Sequence, residues 1–201
     1  MCGQFEALLY LKMLENHLAD KPVETRKVVP GQAAHILIQN PEHGGVAATE
    51  ARFGLIPHWY RGALRDFRGT TFNARIETAA EKPAFKGPWR HRHAIVPAES
   101  FCEGSGPKAG RQGWRIRRGD GRAMGFAALW DEAALRDGDC ASFAILTRPA
   151  GPDMTKIHER EPVILAVEQW DDWLMRRPVR LGDYTPLALV NETPAVQPGL
   201  F

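Results

Sequence analysis

The sequence predicts an α+β protein. One domain covers residues 1–201, with its core at about residues 2–191, and short helices surround a mostly antiparallel, barrel-like sheet. Three observations predict it. Short apolar runs with strand character dominate, and most end in clusters of Gly, Pro, Asn or Asp. The alternation of strands with crossover helices that builds a parallel sheet is missing. A length of 201 residues at 44% hydrophobic content suffices for one sizeable core, and no repeat, low-complexity stretch or clear linker divides it.

From the N-terminus, the spacing of Leu11, Leu14 and Leu18 predicts a helix over Glu6–Leu18, stopped at Asp20–Pro22. Val28–Gln32 reads as extended and turn-like. Ala34–Ile38 and Val46–Leu55 read as strands pairing across the turn signals Asn40-Pro41 and Gly44-Gly45. Phe53–Tyr60 is a strand end running into a proline turn. A helix is expected over Thr78–Lys86 and a strand over His93–Val96. Trp114–Arg117 alternates as a half-exposed strand with its arginines on one face. Gly125–Trp130 and Ser142–Leu146 are strands, with Asp137-Gly138 turning between them. Val163–Val167 suits a buried strand, and Glu168–Met175 a short amphipathic helix carrying Trp170 and Trp173. Leu187–Val190 adds a strand before a Pro-rich tail.

Composition removes several classes. No apolar run approaches the ~18 residues that span a membrane, and the N-terminus lacks the basic-then-apolar order of a signal peptide. Cys2, Cys102 and Cys140 are an odd number without metal-type pairing, which argues against a disulfide framework and for a reducing, cytoplasmic setting. The net charge of +2 says little, but its distribution says more. Arg61, Arg65, Arg68, Arg75, Lys82, Lys86, Arg90 and Arg92 face only Asp66, Glu77 and Glu81 in their stretch. Five arginines between Arg111 and Arg122 face Asp120, whereas Asp131–Asp172 is acidic. A basic early part suggests a face for a polyanion; a solvated surface of mixed charge is the plainer alternative.

The chemistry points to the first residues, Met1-Cys2-Gly3-Gln4. Removal of Met1 before a small residue leaves Cys2 with a free α-amine and a thiol on adjacent carbons. The amine titrates at about 7.7–8.0 and the thiol at about 8.5, so both have a reactive fraction near neutral pH. Together they can condense with an aldehyde to an imine and then a thiazolidine ring, and either can attack an amide or ester. Trp59 and Tyr60, ahead of an arginine-rich loop, suit base stacking beside phosphate contacts, or a tryptophan packed in a turn. Asn73 can cap the helix expected after it or orient a substrate. Glu103 lies in an apolar, Gly-flanked stretch, where partial burial suits a carboxyl to acid–base work.

Together these pieces resemble the SOS response-associated peptidase (SRAP) family, proteins that crosslink to abasic sites in single-stranded DNA. The resemblance is carried by Met1-Cys2-Gly3, Val29-Pro30-Gly31-Gln32, Gly54-Leu55-Ile56-Pro57-His58-Trp59 and Asn73-Ala74-Arg75-Ile76-Glu77-Thr78. It continues through Val96-Pro97-Ala98, Phe101-Cys102-Glu103, Phe126–Trp130, Phe143–Thr147, Ile157-His158-Glu159-Arg160 and Pro162-Val163-Ile164-Leu165. Each block is weak alone; in order, from residue 1 to about 191, they are specific.

The resemblance implies a catalytic set of Cys2 as nucleophile, Asn73 holding the N-terminus or sugar, Glu103 as proton shuttle, and His158 as acid–base on the opened sugar. It implies phosphate contacts from Arg75, Thr147 and Arg160, a stacking loop at Trp59 and Tyr60, and a DNA contact at Pro30. It implies no cofactor or metal, a monomer, and a cytoplasmic protein that joins the nucleoid on damage. The chain also departs from the family pattern: Gln4 stands where arginine is usual, Gly104 follows Glu103 in place of tryptophan, and Glu161 replaces Met or Arg. Gln4 and Glu161 are expected to weaken polyanion binding.

Two other classes compete. Cys2, His158 and Asn73 are the residue types of a thiol peptidase, which would make the protein an N-terminal-nucleophile hydrolase acting on its own N-terminus or another amide. Cys2, Cys102, Cys140 and His158 could instead hold zinc, a reading that no C-x-x-C pair supports.

Overall fold

The computed structural model describes residues 3–8, 25–40, 44–107 and 110–192. Its twelve strands are β1 (Phe5–Leu8), β2 (Thr25–Val28), β3 (Ala33–Gln39), β4 (Val46–Phe53), β5 (Asn73–Arg75) and β6 (His93–Ser105). They continue as β7 (Gln112–Arg118), β8 (Met124–Leu135), β9 (Gly138–Pro149), β10 (Arg160–Pro162), β11 (Ile164–Leu165) and β12 (Leu187–Asn191). Among the described residues two α-helices accompany them, α1 (Pro83–His91) and α2 (Trp170–Leu174), with short 3₁₀ turns at Leu64–Asp66 and Val167–Gln169.

All twelve strands join one mixed, largely antiparallel sheet. The hairpin of β8 and β9 turns at Gly138, whose φ of 120° only glycine adopts without strain. Within the sheet, β8, β9, β4, β3 and β6 follow one another, and β6 pairs back onto β8. This ring stops short of a full barrel, because the β3–β6 and β4–β9 seams hold only two register pairs each. Long β6 serves two layers. Its first half lies between β3 and β8; beyond Pro97 and Ala98 it passes between β1 and β7 and carries Glu103 there.

The core fills the ring with aromatics. Phe5 meets Phe53 edge-on at 5.3 Å, Phe53 stacks on Phe143 at 5.2 Å, and Phe126 meets Phe5 and Phe101 at 6.0 Å each. These five rings are fully buried. A second cluster lies under the helices, where His93 stacks on Trp173 at 3.7 Å.

Most strands fall where periodicity puts them, with three corrections. The strand expected over Val163–Val167 is only Ile164–Leu165, because exposed Val167 opens a 3₁₀ turn. Phe5–Leu8 is strand β1, not the start of a helix. Phe5 and Ala7 are buried on either side of half-buried Glu6, and β1 is hydrogen-bonded between β2 and β6, so pairing overrides the leucine spacing. The rest of that expected helix, residues 9–18, lies outside the described residues, as do Pro41 and the tail from residue 193. The helix expected over Thr78–Lys86 starts at Pro83 instead, after a run of turns. Pro83 lacks an N–H and holds Lys82 extended at ψ 131°, which fixes the helix start there. Asn73 therefore caps no helix; it opens β5.

Candidate functional site

The first described residues lead into a cleft of about 470 Å³ lined by Gly3, Gln4, Cys102, Glu103, Gly104, Arg111, Gln112, Gly113, Trp114 and Glu192. Sheet pairing builds it. β1 adds to β6 with Phe5 opposite Phe101, the Cys102 amide donates to the Gln4 carbonyl at 2.9 Å, and β7 sets Trp114 opposite Glu103. Cys2 lies outside the described residues; in sequence it directly precedes Gly3, which lines the cleft.

Glu103 is 8% exposed, and its Oε1 accepts the Gly104 amide at 3.2 Å. Its setting is not the apolar one its neighbours in sequence suggest, for the Arg111 guanidinium stands 3.6 Å away. Gly104 makes that approach possible. A Cβ there would fall 2.0 Å from Arg111 Nε, and the Gly104 carbonyl accepts from Arg111 Nη2 at 3.1 Å. Burial pushes the Cys102 thiol above its ordinary 9.0, and this outweighs the opposing hydrogen bond from Gln4. Cys102 is therefore a poor thiolate source near neutral pH.

A second group gathers along the end of β9. β5 runs parallel to β9 with Asn73 beside Ile145 and Arg75 beside Thr147, and β10 pairs on β9 with Pro162 opposite Thr147. These pairings bring Asn73, Arg75, Thr147, His158 and Arg160 to one region. Phe72 and Ile157, their neighbours, pack on the same core cluster as Trp114 opposite Glu103. Arg75 is exposed, whereas Thr147 is fully buried. Arg160 is 8% exposed and donates to both Glu77 oxygens at 2.6 and 2.8 Å and to the Thr147 carbonyl at 2.7 Å. This two-pronged pair gives Arg160 a fixed geometry. Its backbone N–H donates to His158 Nδ1 at 2.9 Å. The Arg160 carbonyl also approaches that nitrogen, at 3.2 Å, but an amide N–H can only donate, so Nδ1 is read as the acceptor. A neutral His158 then carries its proton on Nε2.

The hydrogen bonds from Arg160 hold the Glu77 carboxyl below its ordinary 4.5, against a smaller opposing effect of burial. A depressed carboxyl stabilises the fold above its unfolded value and loses that contribution as pH falls through the folded value. Glu77→Gln is therefore expected to melt below the wild type at neutral pH, with the gap closing as pH drops below about 4. Thermal melts from pH 7 to 3 check it, and a gap constant with pH contradicts it.

Trp59 is 54% exposed at the end of the proline turn, as a stacking platform requires. Tyr60 is half-buried instead: its ring meets Phe67 edge-on at 5.1 Å and its hydroxyl donates to the Ala63 carbonyl at 3.2 Å. Pro30 is exposed in the turn before Gly31, whose φ is 96°. The loop of Trp59 is anchored by a residue that sequence reasoning passes over, Asp131. This carboxylate is 1% exposed; its Oδ2 accepts the His58 amide at 2.8 Å and faces His58 Nδ1 at 3.0 Å, while Arg92 Nη1 stands 3.1 Å from Oδ1. A separation of 73 positions between His58 and Asp131 leaves no local signal for it.

Two charge readings change in the structure. Glu161 is not a surface charge. It is 3% exposed, paired with Arg148 Nη2 at 2.6 Å, and accepts the Gly151 amide at 2.9 Å. The arginines of β7 are neutralised, two of them by acids distant in sequence: Arg115 bonds Glu6 and Glu192 and Arg117 stands 3.5 Å from Glu99, while Arg118 takes nearby Asp120. Asp120 is held down to about 2 by Arg118. Among the described residues, no three His, Cys, Asp or Glu side chains are grouped to hold a metal ion, and no helix is long and apolar enough to cross a membrane.

The arrangement has relatives. The family model described as SOS response associated peptidase (SRAP) matches residues 1–195. The chain is 28% identical over 207 residues to the abasic site processing protein YedK of Escherichia coli (strain K12), covering 98% of this chain and 89% of that one. It is 31% identical over 150 residues to the abasic site processing protein YoqW of Bacillus subtilis (strain 168), covering 73% of this chain and 65% of that one. A solved structure from Bordetella bronchiseptica superposes with a TM-score of 0.76 at 26% identity, covering 94% of this chain and 99% of the other. With its model matched along nearly the whole length and its blocks folded around one cleft and one strand end, the chain belongs to the SRAP family.

Proposed function

We propose that this protein processes abasic sites in single-stranded DNA by forming a covalent thiazolidine crosslink through Cys2 once Met1 is removed. The observation that carries this reading is the cleft: Gly3 and Gln4, which directly follow Cys2, line it together with the Glu103 carboxyl. The relatives' names add the substrate class.

The α-amine of Cys2 attacks the aldehyde of the ring-opened sugar, and the resulting carbinolamine loses water to give an imine. The thiol then adds to the imine carbon, closing the five-membered ring, with one water released overall. Glu103 protonates the departing hydroxyl and takes the thiol proton. His158, as an Nε2–H donor, acts on the hydroxyl of the opened sugar, and Asn73 holds the N-terminus or the sugar. Arg75, exposed at the edge of β5, contacts a phosphate. Arg160 and buried Thr147 support that surface through Glu77 and each other. Trp59 stacks on a base, Tyr60 holds the loop behind it, and Pro30 borders the strand's path.

The test is an SDS-stable adduct on an abasic single-stranded oligonucleotide. Wild-type protein is expected to form it and Cys2→Ala to form none. Equal adduct from both would remove Cys2 from the chemistry. Hydrolysis of an amide by the wild type, lost in both Cys2→Ala and His158→Ala, would instead support the peptidase reading.

A further inference from the structure

We infer that α1 carries an extension of the DNA track: Lys82, Lys86 and Arg90 bind successive phosphates of the strand as it leaves the lesion past Trp59. This rests on the proposed DNA function and names a surface within it.

Several cations of the surface and core are already paired. On β7, Arg115, Arg117 and Arg118 are matched by carboxylates, and Arg160 and Arg148 are buried against Glu77 and Glu161. Lys82, Lys86 and Arg90 are exposed, and none is within ion-pair distance of a carboxylate among the described residues. Glu81 is the sole acid between Thr78 and Arg92.

The fold puts the three in line. Phe85, Pro88 and Trp89 turn inward. Lys86 and Arg90, four apart, rise along one side of the helix with a step of about 6 Å, and Lys82 stands at its N-cap, just ahead of them. The row ends at the stacking loop. A Cβ at Gly87 would lie 3.5 Å from the ring of His58, the residue before exposed Trp59, and Arg92, just past the helix, reaches the Asp131 that anchors that loop. Its other end adjoins β5, because the turn after Arg75 runs directly into Lys82, with Ala79 N–H bonded to the Arg75 carbonyl at 2.8 Å. Exposed Lys82, Lys86 and Arg90, with no ion-pair partner among the described residues, thus link the region of Arg75 to the loop of Trp59. Regular cation spacing beside an aromatic, without base-edge readers, fits a backbone-tracking surface for single-stranded DNA.

The triple variant Lys82→Gln, Lys86→Gln, Arg90→Gln keeps helix propensity while removing charge. Its binding to an undamaged single strand of about 20 nucleotides, read by fluorescence anisotropy against salt, is expected to be at least about tenfold weaker at about 50 mM salt. The salt slope should fall by about 2, three contacts at about 0.7 each. Crosslink yield on abasic DNA at saturation should be unchanged. Lys86→Gln alone should lower the slope by about 0.7. Arg118→Gln, whose partner is Asp120, should lower it less. A triple-variant slope equal to wild type overturns the assignment, as does an equal loss for Arg118→Gln. Because undamaged DNA is the probe, this outcome is separate from failure of the wild type to crosslink.

Discussion

Glu103→Gln is expected to slow adduct formation at saturating abasic DNA by roughly 100-fold or more, the usual contribution of a positioned acid–base group. Glutamine keeps the shape of the side chain and its contact with the Gly104 amide but carries no proton to move. Binding of undamaged DNA and the melting temperature should change little, since the loss falls on the chemical step. The rate is read by quenching a time course into SDS. An unchanged rate would leave Glu103 as a wall of the cleft and move proton transfer elsewhere.

The second large effect is on stability. Arg148 and Glu161, whose side chains are 10% and 3% exposed, form a buried pair that also takes the Gly182 carbonyl and the Gly151 amide. It joins β9 to both ends of the loop carrying His158, and to the 182–187 segment that Asp153 holds through Tyr184 and the Leu187 amide. Arg148→Met strands the Glu161 carboxylate in the interior and is expected to cost about 3–5 kcal/mol. Arg148→Met with Glu161→Leu should recover most of it, because no buried charge is left behind. Urea unfolding measures both. A single variant costing below about 1 kcal/mol would give the pair the weight of a surface ion pair.

These two residues also show where the sequence is legible and where it is not. Glu103 was readable because its block, Phe101-Cys102-Glu103, is local and strand β6 carries it. Glu161 reads from the sequence as a misplaced acid on a DNA-facing surface, because its partner is 13 residues away across a strand pairing. The same physics hid Asp131 behind His58 and hid Glu6 and Glu99, which pair with Arg115 and Arg117. Strands were legible wherever apolar alternation and turn residues coincide, as in β3, β4, β8 and β9. Phe5–Leu8 was not, because a four-residue strand between two partners takes its conformation from the sheet. Helix α1 was legible as an element but not in its frame, although Pro83 was there to set it. Arg111 had a visible cue in Gly104, but only the fold shows the space that glycine leaves.

The proposed crosslink requires Cys2 to react through both its amine and its thiol. Intact mass spectrometry of the purified protein, alone and after incubation with an abasic oligonucleotide, tests this most directly. The expected masses are the chain without Met1, and that chain plus the oligonucleotide less one water. A protein that keeps Met1, or that lacks Met1 and gives no covalent species, would contradict it.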